Sequence, residues 1–125
     1  MTVLVVDGAN VVGAGADGWW KDRAGAARLL HEQLLTSDVD EDVTEIVLVL
    51  EGAAKAGVRA GRDGHVTVVH APKDGDSEIV RQAHKAAEAG HHVRVVTADR
   101  LLAARVAKAG PTVGPTWLLD RLGQE

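Results

Sequence analysis

Acidic side chains stand at three places where a short apolar run gives way to a turn or to a helical pattern. Asp7 closes the run Thr2–Val6 and is followed by Gly8, Ala9 and Asn10. Asp99 follows the run His92–Thr97, and Asp76 stands beside Ser77 and Glu78 at the head of an amphipathic stretch. A further carboxylate, Glu51, ends the run Glu45–Leu50. Carboxylates held close together repel unless a proton, a basic residue or a cation lies between them. A hard divalent ion suits such a cluster, because Mg²⁺ takes one or two carboxylates and keeps several waters. Asp7, Asp76 and Asp99 are therefore candidate metal ligands, and Asn10 joins them in a candidate catalytic set. Each also has an ordinary structural reading. Aspartate is a favoured helix N-cap, which suits Asp76 and Asp99, and Asp7-Gly8 alone reads as a turn. The functional reading rests on their conjunction at one end of a sheet.

The elements that would create that conjunction are legible in the hydrophobic pattern. TVLVV (residues 2–6), EIVLVL (45–50), HVTVV (65–69) and HVRVVT (92–97) are short and rich in β-branched residues, as strands covered on both faces are. A last short strand is expected near Pro111–Val113. Helical spacing of apolar residues runs over Asp22–Leu35, Ser77–Ala89 and Asp99–Ala109, the latter two closed by Gly90 and Gly110. Gly114-Pro115 opens a final helix, with proline suited to a first turn. The acidic stretch Thr36–Thr44 reads as a solvated loop, and the Ala/Gly-rich stretch Glu51–Gly64 as a mobile connection with one helical turn. Strands alternating with helices of this length imply right-handed crossovers. The expected architecture is α/β: a three-layer α/β/α domain on a mainly parallel sheet of four to five strands. In such sheets ligands bind beyond the carboxyl ends of the strands, near a topological switch point. If the first and fourth apolar runs are neighbours, their ends lie about 5 Å apart.

Length and composition narrow the function classes. A chain of 125 residues is one domain, residues 1–125. It contains no cysteine, which excludes a disulfide framework, thiolate zinc and a cysteine nucleophile. The opening MTVLVVDGAN has no basic leader, and its apolar run is too short for a signal peptide or membrane span, so a cytoplasmic protein is expected. A net charge of −4 argues against nonspecific coating of nucleic acid, which depends on excess Lys and Arg. It is compatible with an acidic catalytic centre that has a local basic rim.

The ordered motifs carry a resemblance. Val5-Val6-Asp7-Gly8-Ala9-Asn10-Val11-Val12 resembles the opening strand and turn of NYN domains, a branch of the PIN-like nuclease superfamily. Gly75-Asp76-Ser77-Glu78-Ile79-Val80 is similar to the second acidic motif of that family, and Thr97-Ala98-Asp99-Arg100-Leu101-Leu102 to the third. The resemblance spans nearly the whole chain, in order. It implies a sheet ordered 3-2-1-4-5 and Mg²⁺- or Mn²⁺-dependent hydrolysis of RNA, with single-stranded RNA as substrate. Asp7, Asp76 and Asp99 would hold metal directly or through water, and Asn10 would position a carboxylate or water. Thr97 or Ser77 would offer a hydroxyl to the same network. Glu51 departs from the family pattern and is an additional ligand candidate. Two other readings use the same residues: a metal-dependent phosphohydrolase of free nucleotides, and a catalytically inactive PIN-like binding module.

Other signals compete less well. Gly13 to Gly18 spells GxGxxG, but the dinucleotide motif must follow a strand at once and open a helix, so these residues read as a flexible loop. Neither a Walker lysine motif nor a second aspartate two residues beyond Asp7 is present. Trp19 and Trp20 could stack on bases, a contact of about 1–3 kcal/mol per base, or cover the first long helix. Lys21, Arg23, Arg59, Arg62, Lys73 and Arg100 are candidates for guiding an RNA backbone. The six histidines show no ligand spacing and read as structural or solvated.

Overall fold

The computed structural model describes residues 1–15 and 18–123. Its elements run β1 (Thr2–Asp7), α1 (Gly8–Ala14), a 3₁₀ turn (Trp19–Lys21), α2 (Arg23–Thr36), β2 (Val43–Leu50), a second 3₁₀ turn (Gly52–Gly57), β3 (Gly61–Asp63), β4 (Val66–His70), α3 (Gly75–Glu88), β5 (His92–Val96), α4 (Arg100–Val106), β6 (Thr112–Val113) and α5 (Pro115–Arg121). The sheet has six strands in the order β3-β4-β2-β1-β5-β6. All neighbours pair in parallel except β3 with β4, which are antiparallel.

The five parallel strands, taken in chain order, give the expected 3-2-1-4-5 arrangement. The sixth strand corrects the expected count of four to five. Residues Gly61–Asp63 form an edge hairpin partner to β4 where a mobile connection is expected, and all three are exposed, so no apolar alternation marks them. Strand β1 lies at the centre, and the chain builds outward from it first through β2 and β4, then through β5 and β6. That reversal makes the C-terminal end of β1 the topological switch point, where crossovers diverge and leave a crevice.

Every residue of β1 is buried. Because strand side chains alternate, Leu4 and Val6 join one core layer with Val11, Leu30, Leu34 and Leu118, whereas Val3 and Val5 join the other with Ile79, Ala83, Leu102 and Val106. Helices α1, α2 and α5 thus cover one face, and α3 and α4 the other. Among the described residues no helix is long and apolar enough to cross a membrane.

Helix α1 is a second correction. Gly13 and Ala14 lie in its last turn and Gly15 caps it, so the start of the GxGxxG stretch is helical; Ala16 and Asp17 lie outside the described residues. The helix can leave β1 directly because Gly8 has no side chain. A Cβ there would stand 2.6 Å from the Val49 carbonyl and 2.9 Å from Leu50 Cδ2.

Candidate active site

At the end of β1, Asp7 is 6% exposed. Its Oδ1 accepts the Asn10 N–H at 3.2 Å, which caps α1, and its Oδ2 accepts the Thr97 hydroxyl at 3.0 Å. Val6 pairs with Val96 in the parallel register, so Thr97 emerges opposite Asp7 on the adjacent strand. The Thr97 Oγ1 in turn accepts the Asp99 N–H at 3.2 Å, and the Asn10 Oδ1 accepts the Ala98 N–H at 2.9 Å. One short network therefore ties the exits of β1 and β5, using four residues selected from the sequence: Asp7, Asn10, Thr97 and Asp99.

Asp99 caps α4 as well. Its Oδ1 accepts from the N–H groups of Leu101 at 2.9 Å and Leu102 at 3.1 Å. At α3 the capping expectation is corrected. The cap is Asp74, whose Oδ1 takes the Ser77 N–H at 2.7 Å and whose Oδ2 takes the Ser77 hydroxyl at 3.1 Å. Asp76 is thereby released from capping. Ser77, expected to serve the acidic network, is committed to Asp74 because the first turn of α3 turns its hydroxyl back on the cap. Glu51 leaves β2 toward the same end, and its Oε2 accepts the Gly75 N–H at 3.1 Å.

The electrostatics show these acids sharing one region. Burial pushes the Asp7 carboxyl above its usual range, with the charges of Asp76 and Glu51 adding to the shift and the bonds from Asn10 and Thr97 opposing it. Asp76 is raised too, first by burial and then by Asp99, Glu51 and Asp74, against a weaker pull from Arg105. The ion pairs among the described residues lie elsewhere: Arg62 with Glu45, Arg81 with Glu78, and Arg94 with Asp40 and Asp42. Among those residues no three His, Asp or Glu side chains converge as a ready metal cage. The donor set nonetheless fits Mg²⁺ or Mn²⁺ in kind. It consists of hard oxygens that are in no ion pair among the described residues, with Arg105 acting on Asp76 only as a weaker charge, and Mg²⁺ is commonly held by one or two carboxylates plus substrate phosphate in place of an all-protein cage.

The basic candidates divide. Arg62 is corrected: it sits on β3 opposite Thr67, toward the N-terminal ends of the parallel strands, and is paired with Glu45 and bonded to the Gly64 carbonyl at 3.1 Å. The antiparallel turn of β3 carries it away from the acids. Lys21, Arg23, Arg59, Lys73 and Arg100 are exposed. Lys73 precedes α3 and Arg100 opens α4, both at the acidic end. Trp19 is half-buried with its indole against Gly13, so it covers α1 while presenting part of its surface; Trp20 is 58% exposed. His65 and His70 bond to the backbone carbonyls of Leu34 and Val58, a structural use. Lys55, outside the set of site candidates, donates to the Ala71 carbonyl at 3.1 Å and ties the turn after β2 to the exit of β4.

A cleft of about 160 Å³ opens beside the acids, lined by Trp19, Val12, Leu50 and Ala54 with Glu51 and Arg23 as its charged members. Asp7, Asp76 and Asp99 do not line it, so it adjoins the cluster without covering it.

The fold is a three-layer α/β/α domain on a mostly parallel sheet, with acidic side chains gathered at the end where its strand order reverses. No protein-family model matches the chain, and no curated protein matches it in sequence. Among solved structures it is similar to a mutant of Rae1 (YacP) from Bacillus subtilis, with a TM-score of 0.67 and 17% identity over 98% of this chain and 76% of that one.

Proposed function

We propose that this protein is a metal-dependent ribonuclease of the NYN/PIN-like kind that hydrolyses single-stranded RNA at the acidic end of its sheet. The observation that carries the reading is that Asp7, Asp76 and Asp99 share the switch-point end of the sheet, where the charge of Asp76 is felt by Asp7 and that of Asp99 by Asp76, and that none of the three is in an ion pair among the described residues. The fold neighbour in Bacillus subtilis supports the choice of fold. RNA as substrate rests on the sequence motifs.

Asp7, Asp76 and Asp99 are the residues that would hold Mg²⁺ or Mn²⁺. Such an ion supplies Lewis-acid stabilisation of phosphoryl oxygens and a lowered pKa for an attacking water. Asp7 is oriented for that task by Thr97 and by the N-terminal turn of α1. Asn10 keeps α1 and the β5–α4 turn at fixed separation through Ala98. Asp99 has Oδ1 occupied by its helix and Oδ2 free of any hydrogen bond among the described residues. Asp76 makes no side-chain hydrogen bond among them, and mutual repulsion with Asp99 and Glu51 favours whatever neutralises it. An inactive binding module would be expected to pair these acids with Lys73 or Arg100, and neither cation is in an ion pair with them.

The test is hydrolysis of single-stranded RNA, DNA and free nucleotides with Mg²⁺, Mn²⁺ or chelator, for the parent and Asp7→Asn. Metal-dependent RNA cleavage lost in Asp7→Asn is expected, with a thermal stabilisation by Mn²⁺ of about 2.7 kcal/mol at a hundredfold excess over Kd. Intact RNA in every metal condition overturns the reading, and turnover confined to free nucleotides transfers the site to the phosphohydrolase alternative.

A further inference from the structure

We propose that the turn between α1 and α2 is a base-stacking platform, where the exposed indole of Trp20 takes an unpaired base of an RNA strand bound at the acidic end of the sheet. The assignment deepens the ribonuclease reading: it rests on single-stranded RNA as the ligand, but not on metal or on hydrolysis. Trp19-Trp20-Lys21-Asp22-Arg23 sets two indoles and two cations in one turn and the first residue of α2. The backbone holds them in place. The Lys21 N–H donates to the Gly18 carbonyl at 3.0 Å and the Asp22 N–H to the Trp19 carbonyl at 3.3 Å. The Asp22 carboxylate accepts the Gly25 N–H at 2.8 Å as the cap of α2.

The two indoles have different surroundings. Trp19 packs on α1, where a Cβ at Gly13 would stand 3.6 Å from its Cζ2, and it forms part of the cleft wall. The Arg23 guanidinium lies 5.3 Å from its ring centroid. Trp20 is 58% exposed and meets Trp19 with ring centroids 6.2 Å apart and planes at 87°. Trp19 is thus the brace that orients Trp20. Among the described residues no cation stands over the Trp20 ring.

Charge and position choose the partner. Lys21 and Arg23 are exposed and in no ion pair among the described residues. The carboxylate between them, Asp22, is engaged as a cap. Single-strand grooves combine such cations with aromatic side chains, whereas the cores of protein–protein interfaces are depleted of lysine. Gly8 and Ala9, the residues that follow Asp7, line the same cleft as Trp19 and Arg23. A strand with a phosphate at the acids therefore has this turn beside it, on the α1 side of the sheet. Every base has a π-face, so the platform is tolerant of sequence.

The experiment measures binding of short labelled oligouridylate, oligoadenylate and an abasic strand of the same length, by fluorescence anisotropy in chelator. Trp20→Ala should weaken both base-bearing strands by about tenfold, the lower part of the range for stacking on one aromatic side chain, and leave the abasic strand unchanged. Trp20→Phe should retain most of the affinity. Lys21→Ala should weaken all three strands and reduce the slope of log K against log salt by about 0.7. Thermal melts check that each variant is folded. Unchanged binding of the base-bearing strands by Trp20→Ala, or an equal loss on the abasic strand, overturns the platform. So does a concentration-dependent dimer in sedimentation that Trp20→Ala dissolves, which would make the patch a contact between copies of this chain. Base-dependent binding through Trp20 without metal-dependent cleavage upholds the platform and sinks the ribonuclease reading; cleavage with binding indifferent to Trp20 does the reverse.

Discussion

Substituting Asp99 by asparagine and by alanine separates its two duties. The Oδ1 atom accepts two backbone N–H groups of α4, from Leu101 and Leu102. Alanine removes both bonds, and loss of an N-cap costs about 0.5–2 kcal/mol. Asparagine caps as well as aspartate does, and its oxygen can keep both bonds. Its lost charge gives up some interaction with the helix dipole but also relieves repulsion with Asp76, so the two changes oppose each other. The unfolding entropy of about 2.1 cal/mol/K per residue gives about 260 cal/mol/K for 125 residues, so the alanine penalty becomes a Tm loss of about 2–8 °C. Asp99→Asn should melt within about 2 °C of the parent on the same scale. If the carboxylate holds metal, both variants lose cleavage, Asp99→Asn by about a hundredfold, or about 2.7 kcal/mol of barrier. Thermal unfolding in chelator and single-stranded RNA cleavage in Mn²⁺ give the two readouts. An Asp99→Asn enzyme with parental activity would reduce Asp99 to a cap, and an Asp99→Ala protein with parental Tm would refute the capping argument.

Asp7→Asn tests the burial of charge at the switch point. A raised pKa means that the folded state binds the proton more tightly than the unfolded chain, so parental stability falls as pH rises through the folded pKa. Without metal the asparagine variant should therefore melt higher at pH 7, and the gap should shrink on acidification; a variant that is less stable at every pH rejects this account. Asp74→Ala and Asp76→Ala, each removing one acidic side chain two residues apart, should diverge. The former loses the α3 cap and melts lower with cleavage retained, whereas the latter keeps its Tm and loses cleavage; the opposite pattern would restore Asp76 as the cap. Gly8→Ala forces a Cβ to 2.6 Å from the Val49 carbonyl and should cost about 1–3 kcal/mol in urea unfolding, as overpacking does. An unchanged urea midpoint would show that α1 can leave β1 without a glycine.

Much of the architecture is local information. β-branched runs without polar alternation announce strands buried on both faces, and Leu4 and Val6 against Val3 and Val5 already assign two core layers. The same logic failed at Gly61–Asp63, because a three-residue edge strand with every side chain in solvent has no pattern to read. It failed again at Gly8–Ala14. There glycine and asparagine after a strand signal a turn, and the helix becomes evident once the Asp7 cap and the close approach of Gly8 to β2 are visible.

Sequence alone determined which acids stand at β–α junctions, since strand ends and helix starts are set by local pattern and by capping chemistry. It could not decide which aspartate caps α3. Asp74 and Asp76 are both suitable residues two positions apart, and the choice depends on where the chain leaves β4 and on Glu51 taking the Gly75 N–H. Nor could it place Arg62, whose distance from the acids follows from the antiparallel return of β3. The contact between Asp7 and Thr97, separated by 90 positions, exists because β1 and β5 are neighbours at the reversal of strand order. Strand order is a property of how two-sided apolar surfaces pack against helices on both faces, so a cluster assembled across it belongs to the tertiary structure.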